Sequence, residues 1–176
     1  MTQAKMGRID QIGIIVEDLD AGVQSWMTRL GIGPWTLFRN VTMRGQYRGA
    51  DTLVTCDVAM GYQGETQVEL MQITNDAPSP YRDASGALLT GMHHIAWVVD
   101  DLDAAVAGAQ ADGMTLAFMA SSPGTRVAYL ESEGQPGMMY EFIESPATRE
   151  LMDSGIAATR TWDGTNPVTV IDMKAS

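Results

Sequence analysis

The chain has 176 residues, 45% of them hydrophobic and 19% charged, and carries a formal charge of −11 from 22 acidic and 11 basic residues. With no Lys/Arg cluster to break that acidic balance, a nucleic-acid or anionic-membrane surface is excluded. The single Cys56 cannot form an internal disulfide and fits a reducing, cytoplasmic setting, nothing in "MTQAKMGRID" reads as a secretory leader, and no apolar run approaches the ~20 residues of a membrane span.

Residues 9–23, "IDQIGIIVEDLDAGV", open with a β-branched run that ends in acids and passes into an apolar pattern of helical spacing. The pattern predicts a strand followed by a helix over about 19–30. Asp18 or Asp20 suits the N-cap, Val23, Trp26, Met27 and Leu30 face a sheet, and Gly31 is a natural stop. Three strand-like segments follow, "PWTLFRNV", "ADTLVTCDVAM" and "TQVELMQI", with loops expected around "FRNVTMRGQYRG". The Pro- and Gly-containing "TNDAPSPYRDASGALLTG" reads as a connector.

At residue 92 the opening phrase returns. "MHHIAWVVDDLDAAV" overlays the first phrase at a constant offset of 83 positions, without a gap from Gln11/His94 to Val23/Val106. A fixed offset over that length marks a duplicated unit. A second, Ala-rich helix is predicted over about 102–112, capped by Asp101 or Asp103 and stopped by Gly113, before the strand-like "TLAFMAS", "TRVAYLES" and "MYEFIES". Each half is therefore β-α-β-β-β, and the expected fold is α+β: a first βαβββ module over 7–75, a connector over 76–91 and a second module over 92–146. The remainder, 147–176, holds a helix in "ATRELMDSGIAATRTW" and then an irregular stretch with a short extended end. The thirteen methionines suit core filling or a soft, adaptable apolar pocket.

Strand alternation selects four polar residues. In "QIGIIV", Ile12, Ile14 and Val16 share one face, and Gln11, Gly13 and Ile15 the other. In "HIAWVV", Ile95, Trp97 and Val99 take the first face, and His94, Ala96 and Val98 the second. The bulkier sets belong against the helices, so Gln11 and His94 face the space the sheet curls around. Alternation turns the adjacent His93 the other way, as a structural residue. On the last strand of each half, Glu69 sits between Val68 and Leu70, and Glu141 between Tyr140 and Phe142, each opposite to its apolar neighbours. One imidazole, two carboxylates and an amide oxygen, brought together by pseudo-twofold pairing of the halves, make a divalent metal site. The set suits octahedral Mn, Fe, Co, Ni or Zn with water in the open positions. It holds no thiolate, which argues against a closed structural zinc site.

The phrases "IDQIGIIVEDLD", "TQVELMQ", "GMHHIAWVVDDLDAA" and "MYEFIES" resemble the vicinal oxygen chelate superfamily, and within it the glyoxalase and methylmalonyl-CoA epimerase branch, over about residues 7–146. The resemblance implies the glyoxalase/bleomycin resistance/dioxygenase fold, paired βαβββ modules around a U-shaped cleft with one divalent metal ion at its floor, and a homodimer. Carried across residue by residue, the metal ligands fall on Gln11, Glu69, His94 and Glu141, the set of animal-type glyoxalase I; epimerases usually have His and Gln at the first two positions. The implied chemistry is proton transfer beside a carbonyl through a metal-stabilised enediolate or enolate, with Glu141 as first candidate base and Glu69 as its symmetric alternative. The implied partner is a small carbonyl substrate, thioesters and thiol adducts included. Neither Asp51 nor Asp57 aligns with the epimerases' separate first-half Glu. Arg39, Arg44, Arg48 and Arg126 could reach an anionic group but read first as solvated loop charges.

A metal-dependent lyase or isomerase is the leading reading. An Fe(II) dioxygenase would use two His and one carboxylate, which Gln11 argues against. A metal-free, ligand- or drug-sequestering protein of the bleomycin-resistance kind would not need all four ligand positions filled.

Overall fold

Two copies of a strand-helix-strand-strand-strand order account for most of the chain. The structure, a computed structural model, describes residues 5–174. The first copy comprises β1 (Gln11–Ile15), α1 (Leu19–Leu30), β2 (Trp35–Tyr47), β3 (Ala50–Gln63) and β4 (Thr66–Ile73). The second comprises β5 (Gly91–Val98), α2 (Leu102–Ala111), β6 (Thr115–Ser122), β7 (Thr125–Glu131) and β8 (Met139–Glu144). They are followed by α3 (Thr148–Thr161) and β9 (Val168–Asp172). None of the described helices is long and apolar enough to cross a membrane.

Both repeat helices begin as the acids dictate. The Asp18 carboxylate accepts from the Ala21 backbone N–H, and that of Asp101 from Ala104, in each case a side-chain cap for an N–H the helix cannot satisfy itself. Gly31 closes α1 in the left-handed conformation. The helices pack on the outside of the sheet. Leu19 and Val23 of α1 join Trp35, Leu37, Val68 and Leu70, and Leu102, Val106 and Ala109 of α2 join Ala128, Leu130 and Phe142. In β1 and β5 the bulkier faces therefore meet helices, and the faces that carry Gly13 and Ala96 turn to the interior.

The strands run in the order β3-β4-β1-β5-β8-β7-β6-β2, and β2 pairs with β3 as well, which closes the curved sheet into a barrel-like ring. The halves meet at the antiparallel β1–β5 pair and again where the end of β2 pairs with β6. The loops expected around "FRNVTMRGQYRG" are instead strand. β2 and β3 extend to 13 and 14 residues, against 8 and 7 in β6 and β7, so the extra residues of the first half lengthen a hairpin. That length lets β2 reach the second half. The extended end of the chain is β9, which pairs parallel with the start of β2.

Gly45 sits on this closure. A Cβ there would lie 2.0 Å from the Met119 carbonyl oxygen and 2.5 Å from the Ala120 Cα, backbone atoms that cannot swing aside. Gly45→Ala should therefore destabilise the fold by about 1–3 kcal/mol, the usual scale of overpacking, read as a lower urea midpoint.

Candidate metal centre

The junction strands place the four polar residues in two rows across β4, β1, β5 and β8. Gly13 pairs with Glu69 on one side and His94 on the other. In the next row Ala96 pairs with Gln11 and with Glu141. Neighbouring strands are about 4.8 Å apart, so the small residues Gly13 and Ala96 leave room over which larger side chains converge. The fit is close at Gly13, where a Cβ would lie 1.9 Å from the His94 ring. The arrangement follows the repeat symmetry, Gln11 answering to His94, Gly13 to Ala96 and Glu69 to Glu141.

All four side chains are buried. His94 Nε2 lies 3.2 Å from Gln11 Oε1, 3.2 Å from Glu69 Oε2 and 3.1 Å from Glu141 Oε2. Ligand atoms of Glu69, His94 and Glu141 all lie within 4.8 Å of one another. Donors about 2.1 Å from a common ion and at right angles to each other sit about 3.0 Å apart, close to the observed separations.

A chain of amides aims Gln11. The Gln67 side-chain NH₂ donates to the Tyr62 hydroxyl at 2.7 Å, so the Gln67 oxygen turns to accept from Gln11 Nε2 at 2.7 Å. That leaves Gln11 Oε1 facing His94. Gln67 was not among the residues the alternation selected, although it lies two positions before Glu69 on the same inward face of β4.

His93 departs from its sequence reading. The β1–β5 register shifts beside Gly13, with Gly13 opposite His94 but Ile14 opposite Met92. His93 is thus the extra residue of a bulge, and a bulge re-aims side chains. It turns inward, buried against Tyr81 and Tyr129. Its Nε2 lies 2.9 Å from the Pro80 carbonyl oxygen, which only accepts, so Nε2–H donates. Burial and the adjacent His94 lower its pKa to about 4, keeping the ring neutral with Nδ1 as an acceptor. His94 Nδ1, 3.1 Å away, then carries the hydrogen, and Nε2 is the atom directed at the cluster.

The electrostatics are unbalanced. Burial works against a charged His94, but Glu141 and Glu69 outweigh it and raise its pKa to about 10. Burial also pushes the Glu69 carboxyl up, against the pull of His94. Glu141 Oε2 is buried and has no hydrogen-bond partner beyond the His94 contact. Two carboxylates and one imidazole carry more potential negative than positive charge, and buried ions are costly unless compensated. A divalent cation would balance both carboxylates with His94 neutral, and the mixed N/O donor set suits a first-row metal. The residues present fit such an ion.

Gln11, Glu69 and Glu141 of the cluster line a cavity of about 380 Å³, whose other walls include Phe38, Met60, Cys56 and Tyr129. Trp35 is core, packed beneath α1. Burial raises the Cys56 thiol far above its ordinary range, so it stays a neutral wall residue. Asp57 holds Arg39, and Asp51 accepts from Gln46; neither reaches the cluster. Arg48 and Arg126 are likewise paired, with Glu131, and with Asp103 and Glu144. A wider concavity of about 1,220 Å³, between the connector and the 131–139 loop, touches none of the four residues.

Comparison with known proteins adds three findings. Residues 10–129 match the family model described as the Glyoxalase/Bleomycin resistance protein/Dioxygenase superfamily, a span that includes Gln11, Glu69 and His94 and stops short of Glu141. Among solved structures, the chain is similar to a hypothetical protein from Bacillus halodurans C-125, with 21% identity, 78% of this chain and 94% of that one covered, and a TM-score of 0.54. It is similar also to a methylmalonyl-CoA epimerase from Mycobacterium tuberculosis, with 18% identity, 86% and 96% covered, and a TM-score of 0.54. No curated protein matches the chain by sequence.

Protein purified without chelators should carry about one divalent ion per chain by elemental analysis, and Glu141→Gln should lose most of it. In calorimetric titration, His93→Phe should weaken metal binding by about 10- to 100-fold, the usual cost of removing a residue that orients a ligand histidine.

Proposed function

The chain belongs to the glyoxalase/bleomycin resistance protein/dioxygenase superfamily, and from that footing we propose a metal-dependent isomerase or lyase that moves a proton at a carbon beside a carbonyl group. One observation carries this reading: two buried carboxylates flank one imidazole and one amide oxygen at the floor of an apolar cavity. Gln11, Glu69, His94 and Glu141 would hold the ion. A divalent ion held there supplies Lewis-acid polarisation of a carbonyl oxygen, which makes the adjacent C–H more acidic.

The remaining work falls to the side chains. Glu141 Oε2 has no hydrogen-bond partner beyond His94 and Glu141 lines the cavity, so it is the base that removes the proton. Glu69 reaches the same space from the opposite half of the sheet and returns a proton from the other side. The apolar walls exclude water, which would otherwise quench the carbanionic carbon.

Two alternatives fit less well. An Fe(II) dioxygenase typically presents two histidines and one carboxylate, whereas this cluster has one histidine and two carboxylates. A sequestering protein has no need to bury two carboxylates together, an arrangement that costs stability unless a cation accompanies it.

The metal-loaded protein should catalyse deuterium incorporation at the carbon beside the carbonyl of its substrate. Glu141→Gln should slow that exchange by at least about 10²-fold, followed by proton NMR in D₂O. Binding without exchange across thioesters, 2-oxoaldehyde adducts and dicarbonyls would favour sequestration, and oxygen uptake with Fe(II) and a catechol would favour the dioxygenase.

A further inference from the structure

We infer that the cavity takes a compact, uncharged carbonyl compound with an apolar body, rather than a substrate carried on an anionic conjugate such as coenzyme A or glutathione. The inference rests on the cluster being the substrate-binding end of the cavity and specifies which ligands that end receives.

The walls are the first observation. Met43, Met60, Met71 and Met152 line the space with Phe38 and Ile143, a set of flexible thioethers and hydrocarbon that moulds to apolar groups. Among the described residues no Lys or Arg lines the cavity, and its charged members are Glu69 and Glu141. Away from the metal-binding cluster, an anionic substituent entering it would meet apolar walls and no cationic side chain.

The state of the basic residues is the second. Eight of the 11 Lys and Arg side chains lie within 4.0 Å of a carboxylate. Only Arg29, Arg44 and Lys174 form no such pair among the described residues, and none of them lines the cavity. Recognition of several phosphates or carboxylates calls for a cluster of free guanidinium or ammonium groups. In a chain of charge −11, what positive charge exists is already neutralised by neighbouring acids.

The third is how the space is closed. Residues beyond the family match build one wall. Arg149 ties α3 to the sheet, donating to Asp10 Oδ1 at 3.1 Å and to the Val98 carbonyl at 2.9 Å, and Met152 and Ile156 pack on Tyr62 and Val98. This presents Leu151 and Met152 to the cavity, and β9, held on β2, is followed by Met173, which also lines it. The cavity's volume of about 380 Å³ lies near the lower end of the ~300–1,000 Å³ span of small-molecule sites. It suits a ligand of modest size with its oxygens at the cluster and its carbon skeleton among the methionines.

Three probes with the same 1,3-dicarbonyl head separate charge from the rest: benzoylacetone, the N-acetylcysteamine thioester of acetoacetate and acetoacetyl-coenzyme A. They are titrated calorimetrically into full-length protein loaded with Mn²⁺, at low and high salt. Benzoylacetone should bind at least tenfold more tightly than acetoacetyl-coenzyme A, with little salt dependence, and the neutral thioester should lie nearer to benzoylacetone. Leu151→Arg, at a position 63% exposed and so tolerant of substitution, should narrow the gap by weakening benzoylacetone and strengthening acetoacetyl-coenzyme A. Equal or tighter binding of acetoacetyl-coenzyme A that weakens with salt would overturn the inference, even if deuterium exchange upheld the proton-transfer reading. Tight benzoylacetone binding without exchange would uphold the inference and sink that reading. If no probe binds although the metal does, both fall.

Discussion

Glu69 and Glu141 share, with a single imidazole between them, a space from which water is largely excluded, and the surrounding structure answers that electrostatic imbalance. Buried carboxylates persist only when hydrogen bonds or cations offset their desolvation. Here the neighbours supply orientation more than charge. The Tyr62–Gln67–Gln11 chain turns one amide oxygen toward the cluster, and the Pro80–His93–His94 chain turns one imidazole nitrogen toward it. With a divalent ion bound and His94 neutral, both chains would end on lone pairs directed at the same point, and neither would add a positive charge. A divalent cation would complete the balance of charge.

Duplication explains how remote segments meet there. Copies related by a pseudo-twofold axis bring equivalent strands side by side, so β1 lies against β5 and each is flanked by the last strand of its own half. Every inward position then has a counterpart across the junction. Two counterparts, Gly13 and Ala96, are small, which opens the floor, while Gln11 with His94 and Glu69 with Glu141 carry the candidate ligands. The copies are not identical, and the differences carry the asymmetry of the site. One copy offers an amide and the other an imidazole, and only the second carries the bulge that turns His93 inward beside His94.

Much of the fold and of the cluster was legible in the sequence. The constant offset between the two opening phrases predicts the repeat, and Asp18, Asp101 and Gly31 mark helix ends because capping is a local matter. Period-two alternation separates Ile12 and Ile14, which meet α1, from Gln11 and Gly13, which do not. Alternation fails at His93 because one inserted residue in a β-ladder reverses facing without leaving a signature in composition. It fails at "FRNVTMRGQYRG" because the polar residues suggesting loops belong to a long hairpin whose partner, β6, is distant in sequence.

What the sequence determined alone is therefore the part governed by neighbours along the chain: the repeat, its helices and caps, and which side of each strand carries Gln11, Glu69, His94 and Glu141. Tertiary structure decided the rest. It set the distances among those four groups, recruited Gln67 and His93 to orient them, folded α3 and the end of the chain into a cavity wall, and paired most arginines with acids. Those outcomes depend on contacts between segments tens of residues apart, where closure of the sheet, and no local propensity, determines which side chains face one another.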